Sequence, residues 1–112
     1  MDDPIYHPIL AEPWTYEIVA FTWQSANEPD EAFLDVTLSR GAQIRRLRFV
    51  APQDVHIEVY GGSHAAQCLD MVIYDIRDRG LEGLNVLVTE GGASSSPLIL
   101  HARDVNDLDL RH

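Results

Sequence analysis

Apolar and polar residues alternate over short runs along most of this chain, and turn residues separate the runs. Residues 33–39 (FLDVTLS) set Leu34, Val36 and Leu38 on one side and Asp35 and Thr37 on the other, the period of a half-buried strand. Residues 44–50 (IRRLRFV) and 55–60 (VHIEVY) alternate as well. Leu47 and Phe49 share a side, as do Val55, Ile57 and Val59. Residues 15–23 (TYEIVAFTW) are β-branched, aromatic and apolar on both sides, the pattern of a covered strand with Trp23 in the core. Residues 84–90 (LNVLVTE) and 97–103 (PLILHAR) are further strands, and 104–110 (DVNDLDL), with Val105, Leu108 and Leu110, closes the chain with a short one. Residues 68–76 (CLDMVIYDI) fit helical and strand spacing alike. β-Branching at Val72, Ile73 and Ile76 selects strand, with a short helix near 64–71 as the alternative.

The punctuation agrees with this pattern. Residues 24–30 form a polar loop containing Asn27 and Pro29, and Arg40-Gly41 is a turn. GGSH at 61–64, RDRGLEG at 77–83 and GGASSS at 91–96 separate the later runs. Pro4, Pro8 and Pro13 make residues 1–14 an extended lead-in rather than a helix. No repeat or linker divides the chain. The pattern predicts one all-β domain over 1–112, an antiparallel β-sandwich or curled sheet of about seven short strands.

Pro52 within 51–54 turns the chain between 44–50 and 55–60, which predicts a hairpin. A one-residue slip would invert one strand, so apolar must face apolar. Arg46 and Arg48 then share a face with His56 and Glu58, and a cross-strand pair between Glu58 and an arginine follows. These four residues form the candidate ligand or partner face. Trp14, between Pro13 and Thr15, is placed near the surface as a candidate contact anchor, since tryptophan is enriched at binding hot spots.

With 112 residues, 46% of them hydrophobic and 23% charged, the composition is that of a globule and excludes disorder and fibrous repeats. The net charge of −10 argues against nucleic-acid binding through phosphates. All eight basic residues are arginine, which excludes lysine Schiff bases, pyridoxal phosphate sites and GxxxxGK phosphate loops. Eight acids and no Arg or Lys precede Arg40. Cys68 is the single cysteine; it makes no internal disulfide, suits a reducing cytoplasm and reads as a small core residue. The opening MDDPIYHPILAEPW has no basic leader, and no apolar run reaches the roughly 20 residues of a spanning helix, so a cytoplasmic protein is expected.

Chemical motifs fail on spacing. His56, Glu58 and His64 could approach a metal ion, but Arg46 and Arg48 on that face would oppose it. Counting from Asp104, a calcium loop would need glycine where Asp109 stands, so a solvated acidic tail is expected. GGASSSP lacks the GxSxG elbow, and the segment after it reads as strand rather than helix. No catalytic residue, metal or cofactor is assigned.

The strand order from Ile44 to Leu110 runs LRFVAPQDVHIEVYGG, then LDMVIYDIRDRGLEGLNVLV, then PLILHARDVNDLDL. It resembles small bacterial immunity-like proteins found beside secreted toxins. The resemblance implies an all-β or α+β domain that binds and blocks a cognate toxin, with no catalytic or contact residue to carry over. An acidic surface suits a basic partner. The leading expectation is a non-enzymatic protein-interaction domain whose partner is a protein such as a basic toxin, with no nucleic acid and no membrane. Two further readings stand beside it. One is a small-molecule-binding domain or small enzyme on the Arg46, Arg48, His56 and Glu58 face. The other is a homodimer with a structural role.

Overall fold

The computed structural model describes residues 5–25, 32–58, 66–67, 71–91 and 96–109. Among them, nine strands run in chain order: β1 (Glu17–Gln24), β2 (Phe33–Arg40), β3 (Gln43–Val50), β4 (Gln53–Ile57), β5 (Ala66–Gln67), β6 (Met71–Asp75), β7 (Val86–Glu90), β8 (Leu98–Ala102) and β9 (Asp104–Asp107). They form two sheets, ordered β5-β1-β2-β3-β9 and β4-β8-β7-β6, and every pairing is antiparallel. The all-β antiparallel fold expected from the alternation is therefore present. Eight strands correspond to runs read from the sequence, and the two-residue β5 is the addition. The helix considered near 64–71 is overturned where it can be checked: Ala66–Gln67 and Met71 are strand, and the other positions, Cys68 included, lie outside the described residues.

The core lies between the sheets. Leu34, Val36 and Leu38 of β2 and Leu47 and Phe49 of β3 enter it from one side. Met71, Ile73, Val86, Val88, Leu98, Leu100 and Ala102 enter from the other. Period two explains this directly, since alternate side chains leave opposite faces of a strand. Each valine, leucine, isoleucine, phenylalanine or methionine among them contributes about 1.5–3 kcal/mol on burial. β2 and β3 join through a tight turn in which Gly41 takes φ 59°, a left-handed conformation that glycine adopts without a Cβ penalty.

The expected hairpin between 44–50 and 55–60 does not form. β3 belongs to the first sheet and β4 to the second, so Ala51 and Pro52 make a corner between sheets. Ala51 is buried with φ 50°, and its N–H donates to the Ala32 carbonyl at 2.8 Å. A second corner lies alongside: Arg103 alone separates β8 from β9, and its N–H donates to the Val50 carbonyl at 2.9 Å. Alternation cannot tell a hairpin from a sheet switch, because both turn Leu47, Phe49 and Val55 toward apolar neighbours.

β1 also departs from expectation. It pairs with β2 along its length, with a bulge between Ile18 and Ala20. Beyond Ile18 every residue of β1 is exposed, and Trp23 is 50% exposed instead of lying in the core. Phe21 and Trp23 stand opposite Val36 and Leu34, which are 2% and 0% exposed. The cover given by the second sheet therefore ends between β2 and β1.

Phe49→Ala is expected to remove about 3–5 kcal/mol from the unfolding free energy. Ile44→Ser, at a position 52% exposed on the same strand, is expected to change it by less than about 1 kcal/mol. Urea denaturation of the two variants measures the contrast.

Candidate interaction surfaces

The four residues of the predicted face are not brought together. Arg46 and Arg48 lie on β3 in the first sheet, while His56 lies on β4 in the second and Glu58 follows it. His56 Nε2 and Glu58 Oε1 are 3.2 Å apart and exposed. Neither arginine reaches Glu58, because the chain changes sheets at Ala51.

The arginines of β3 instead meet aspartates. Arg48 sits directly across from Asp35 on β2 and holds it in two hydrogen bonds, of 2.7 and 2.9 Å. The same guanidinium lies 3.9 Å above the Phe33 ring. Arg46 donates to Asp109 from Nε at 3.0 Å, Nη2 at 2.8 Å and its backbone N–H at 2.9 Å. The Arg46 hydrogen bonds hold the Asp109 carboxyl below its ordinary range. Arg45 points along the core side, pairs with Asp107 and donates to the Ile9 carbonyl at 3.1 Å. The acidic C-terminal stretch is thus no solvated tail: the Asp107 side chain is 1% exposed, and Asp104 caps the Val105 N–H at 2.8 Å. The sequence gives no sign of the arginine partners of Asp107 and Asp109, which lie about sixty residues away.

A surplus of negative charge remains. Glu12, Glu17, Asp78, Glu82 and Glu90 have no ion pair among the described residues. Among those residues no three His, Cys, Asp or Glu side chains gather as a metal site would require. No helix there is long and apolar enough to cross a membrane.

The four sheet edges differ in how they are closed. β9 is four residues long and begins and ends with aspartate. β4 is interrupted by a register shift between Gln53 and His56. β6 is covered by the lead-in: Tyr6 bridges Tyr74, His7 N–H donates to the Ile73 carbonyl, and Asp75 N–H donates to the Ile5 carbonyl, both at 2.8 Å. β5 covers β1 only at Glu17 and Ile18. From Ala20 to Gln24, β1 has no strand on its outer side among the described residues. Val19, Phe21 and Trp23 are 48%, 46% and 50% exposed there. Edge strands are ordinarily guarded by charge, proline or bulges. Here the bulge is the single such device, since residues 18–25 (IVAFTWQS) hold no charge and no proline.

Trp14 lies in the short 3-10 turn (Pro13–Thr15) that leads toward β1, and it is 40% exposed. Tyr6 links it to the second sheet, with ring centroids 6.4 Å from Trp14 and 5.5 Å from Tyr74. The uncharged run at 18–25 was the sequence signal for the open edge, but its two-sided apolarity read as burial. Comparison with known proteins finds no matching family model, no matching curated protein and no matching solved structure.

Two outcomes follow from these electrostatics. Arg45→Met strands a buried carboxylate and is expected to cost about 2 kcal/mol or more, whereas Arg46→Met breaks an exposed pair and is expected to cost clearly less. Thermal unfolding of both variants checks the order.

The second concerns His7. Its Nδ1 accepts the Ile9 N–H at 3.1 Å, so the ring is neutral there. Burial holds its pKa below the ordinary 6.5, Arg77 acts the same way, and Asp75 and Asp104 oppose. The unfolded chain then binds the proton first as pH falls. Stability is complete above about pH 6.5 and declines below it. His7→Asn keeps an acceptor for Ile9 and is expected to flatten that decline in denaturation curves taken on either side of pH 6.5.

Proposed function

We propose that this chain is a non-enzymatic protein-interaction domain that binds a basic protein, in the manner of an immunity protein that blocks a cognate bacterial toxin. The observation that carries this reading is the edge of β1 beyond Ile18, open among the described residues, where Val19, Phe21 and Trp23 stand half exposed on a stretch without charge. Contiguous apolar surface of this kind marks contact sites, since water contact is unfavourable and a partner relieves it. Trp14 and Tyr6 flank the N-terminal approach to β1 as aromatic anchors. The charge supports the sign of the partner. Arg45, Arg46, Arg48 and Arg77 are neutralised within the molecule, and the net charge is −10. Such a surface steers basic surfaces toward it and repels phosphate backbones. The setting that goes with this reading is the cytoplasm.

Co-expression with the products of adjoining genes, followed by affinity purification and light scattering, tests the proposal. A stoichiometric complex with a basic neighbour is expected, and its affinity falls with added salt and with Trp14→Ala. Recovery of the folded domain with no neighbour bound contradicts the proposal.

A further inference from the structure

We infer that the free edge of β1 takes up an extended segment of the partner as an added strand, and that this segment alternates apolar residues with arginine or lysine. The inference rests on the interaction-domain reading and specifies its mode of contact.

The geometry supplies both halves of such a site. Residues 20–24 use β2 on one side and leave the main-chain groups of the other side without a strand among the described residues. An added strand would satisfy those N–H and C=O groups, the source of affinity in strand addition. Phe21 and Trp23 lie on the face that continues the core side of β2. Apolar side chains of the incoming strand would pack beside them, and its alternate residues would emerge on the face that carries Ala20 and Thr22.

Charge selects the occupant. A second copy would bring a net −10 against −10, from a chain with eight acids and no Arg or Lys before Arg40. Two such edges gain apolar contact and lose through repulsion. A strand bearing arginine or lysine gains from both, because Glu17 at the start of β1 has no ion pair among the described residues.

The test uses the full chain and two variants, Phe21→Lys and Trp23→Ser. Each replaces a side chain that is already half exposed, so the fold is retained, as circular dichroism and thermal unfolding will show. An inward-pointing lysine is a known guard of sheet edges, and the serine variant changes no charge. Calorimetric titration is made with a short peptide alternating valine and arginine, and with its glutamate-for-arginine counterpart. The arginine peptide is expected to bind the unmodified chain, and both variants lose about tenfold or more in affinity. The glutamate peptide does not bind, and the unmodified chain is a monomer by light scattering. Equal binding of the two peptides, or undiminished binding by the variants, overturns the inference. So does a dimer that Phe21→Lys converts to monomers, which would assign the edge to a second copy. If a neighbour-encoded protein binds the unmodified chain and both variants alike, strand addition falls while the interaction-domain reading stands. If no neighbour and neither peptide binds, both fall.

Discussion

Three arginines of β3 meet three aspartates of the same molecule, and the first sheet depends on that arrangement. Arg48 and Asp35 tie β3 to β2, while Arg45 with Asp107 and Arg46 with Asp109 tie it to β9 and the turn beyond. Arg45 also holds the Ile9 carbonyl, so one guanidinium joins the lead-in, the middle strand and the end of the chain. The pairs differ in weight. Asp107 is out of water and needs its arginine, whereas Asp109 shares its charge with solvent. Their common effect is to neutralise Arg45, Arg46 and Arg48. Glu12, Glu17, Asp78, Glu82 and Glu90, which have no ion pair among the described residues, face the surroundings.

The same sheet shows why exposure is concentrated at one place. A sandwich must end somewhere on each side, and each end presents unpaired main chain. Three edges are guarded by aspartate, by a register shift or by the lead-in segment that bridges Tyr6 to Tyr74. The fourth, β1 beyond Ile18, is uncovered among the described residues and presents Phe21 and Trp23 on a stretch without charge. An acidic body with an aromatic, uncharged edge is the basis on which a basic, strand-donating partner is proposed.

Alternation made the strands and the core legible. Leu34, Val36, Leu38, Leu47 and Phe49 lie where period two puts them. What it could not convey was which sheet each strand joins. Val55 and Ile57 pack against the core from β4 whether β4 folds back on β3 or crosses to the other sheet. The left-handed turn at Ala51 decides the matter, and alanine gives no sign of it in the sequence. The predicted face of Arg46, Arg48, His56 and Glu58 dissolved for that reason. Trp23 was misplaced by a different ambiguity: a strand apolar on both sides reads as buried, yet an open edge has the same composition. Trp14, placed at the surface by its proline neighbour, is exposed as expected.

Residue-resolved hydrogen exchange of the isolated chain tests most directly that β1 is an open edge. Amides of residues 20–24 that bond to β2 should be protected, and those facing outward should exchange fast, giving alternating protection along the strand. Uniform protection from Ala20 to Gln24 would mean that the edge is already covered, and would contradict the surface described here.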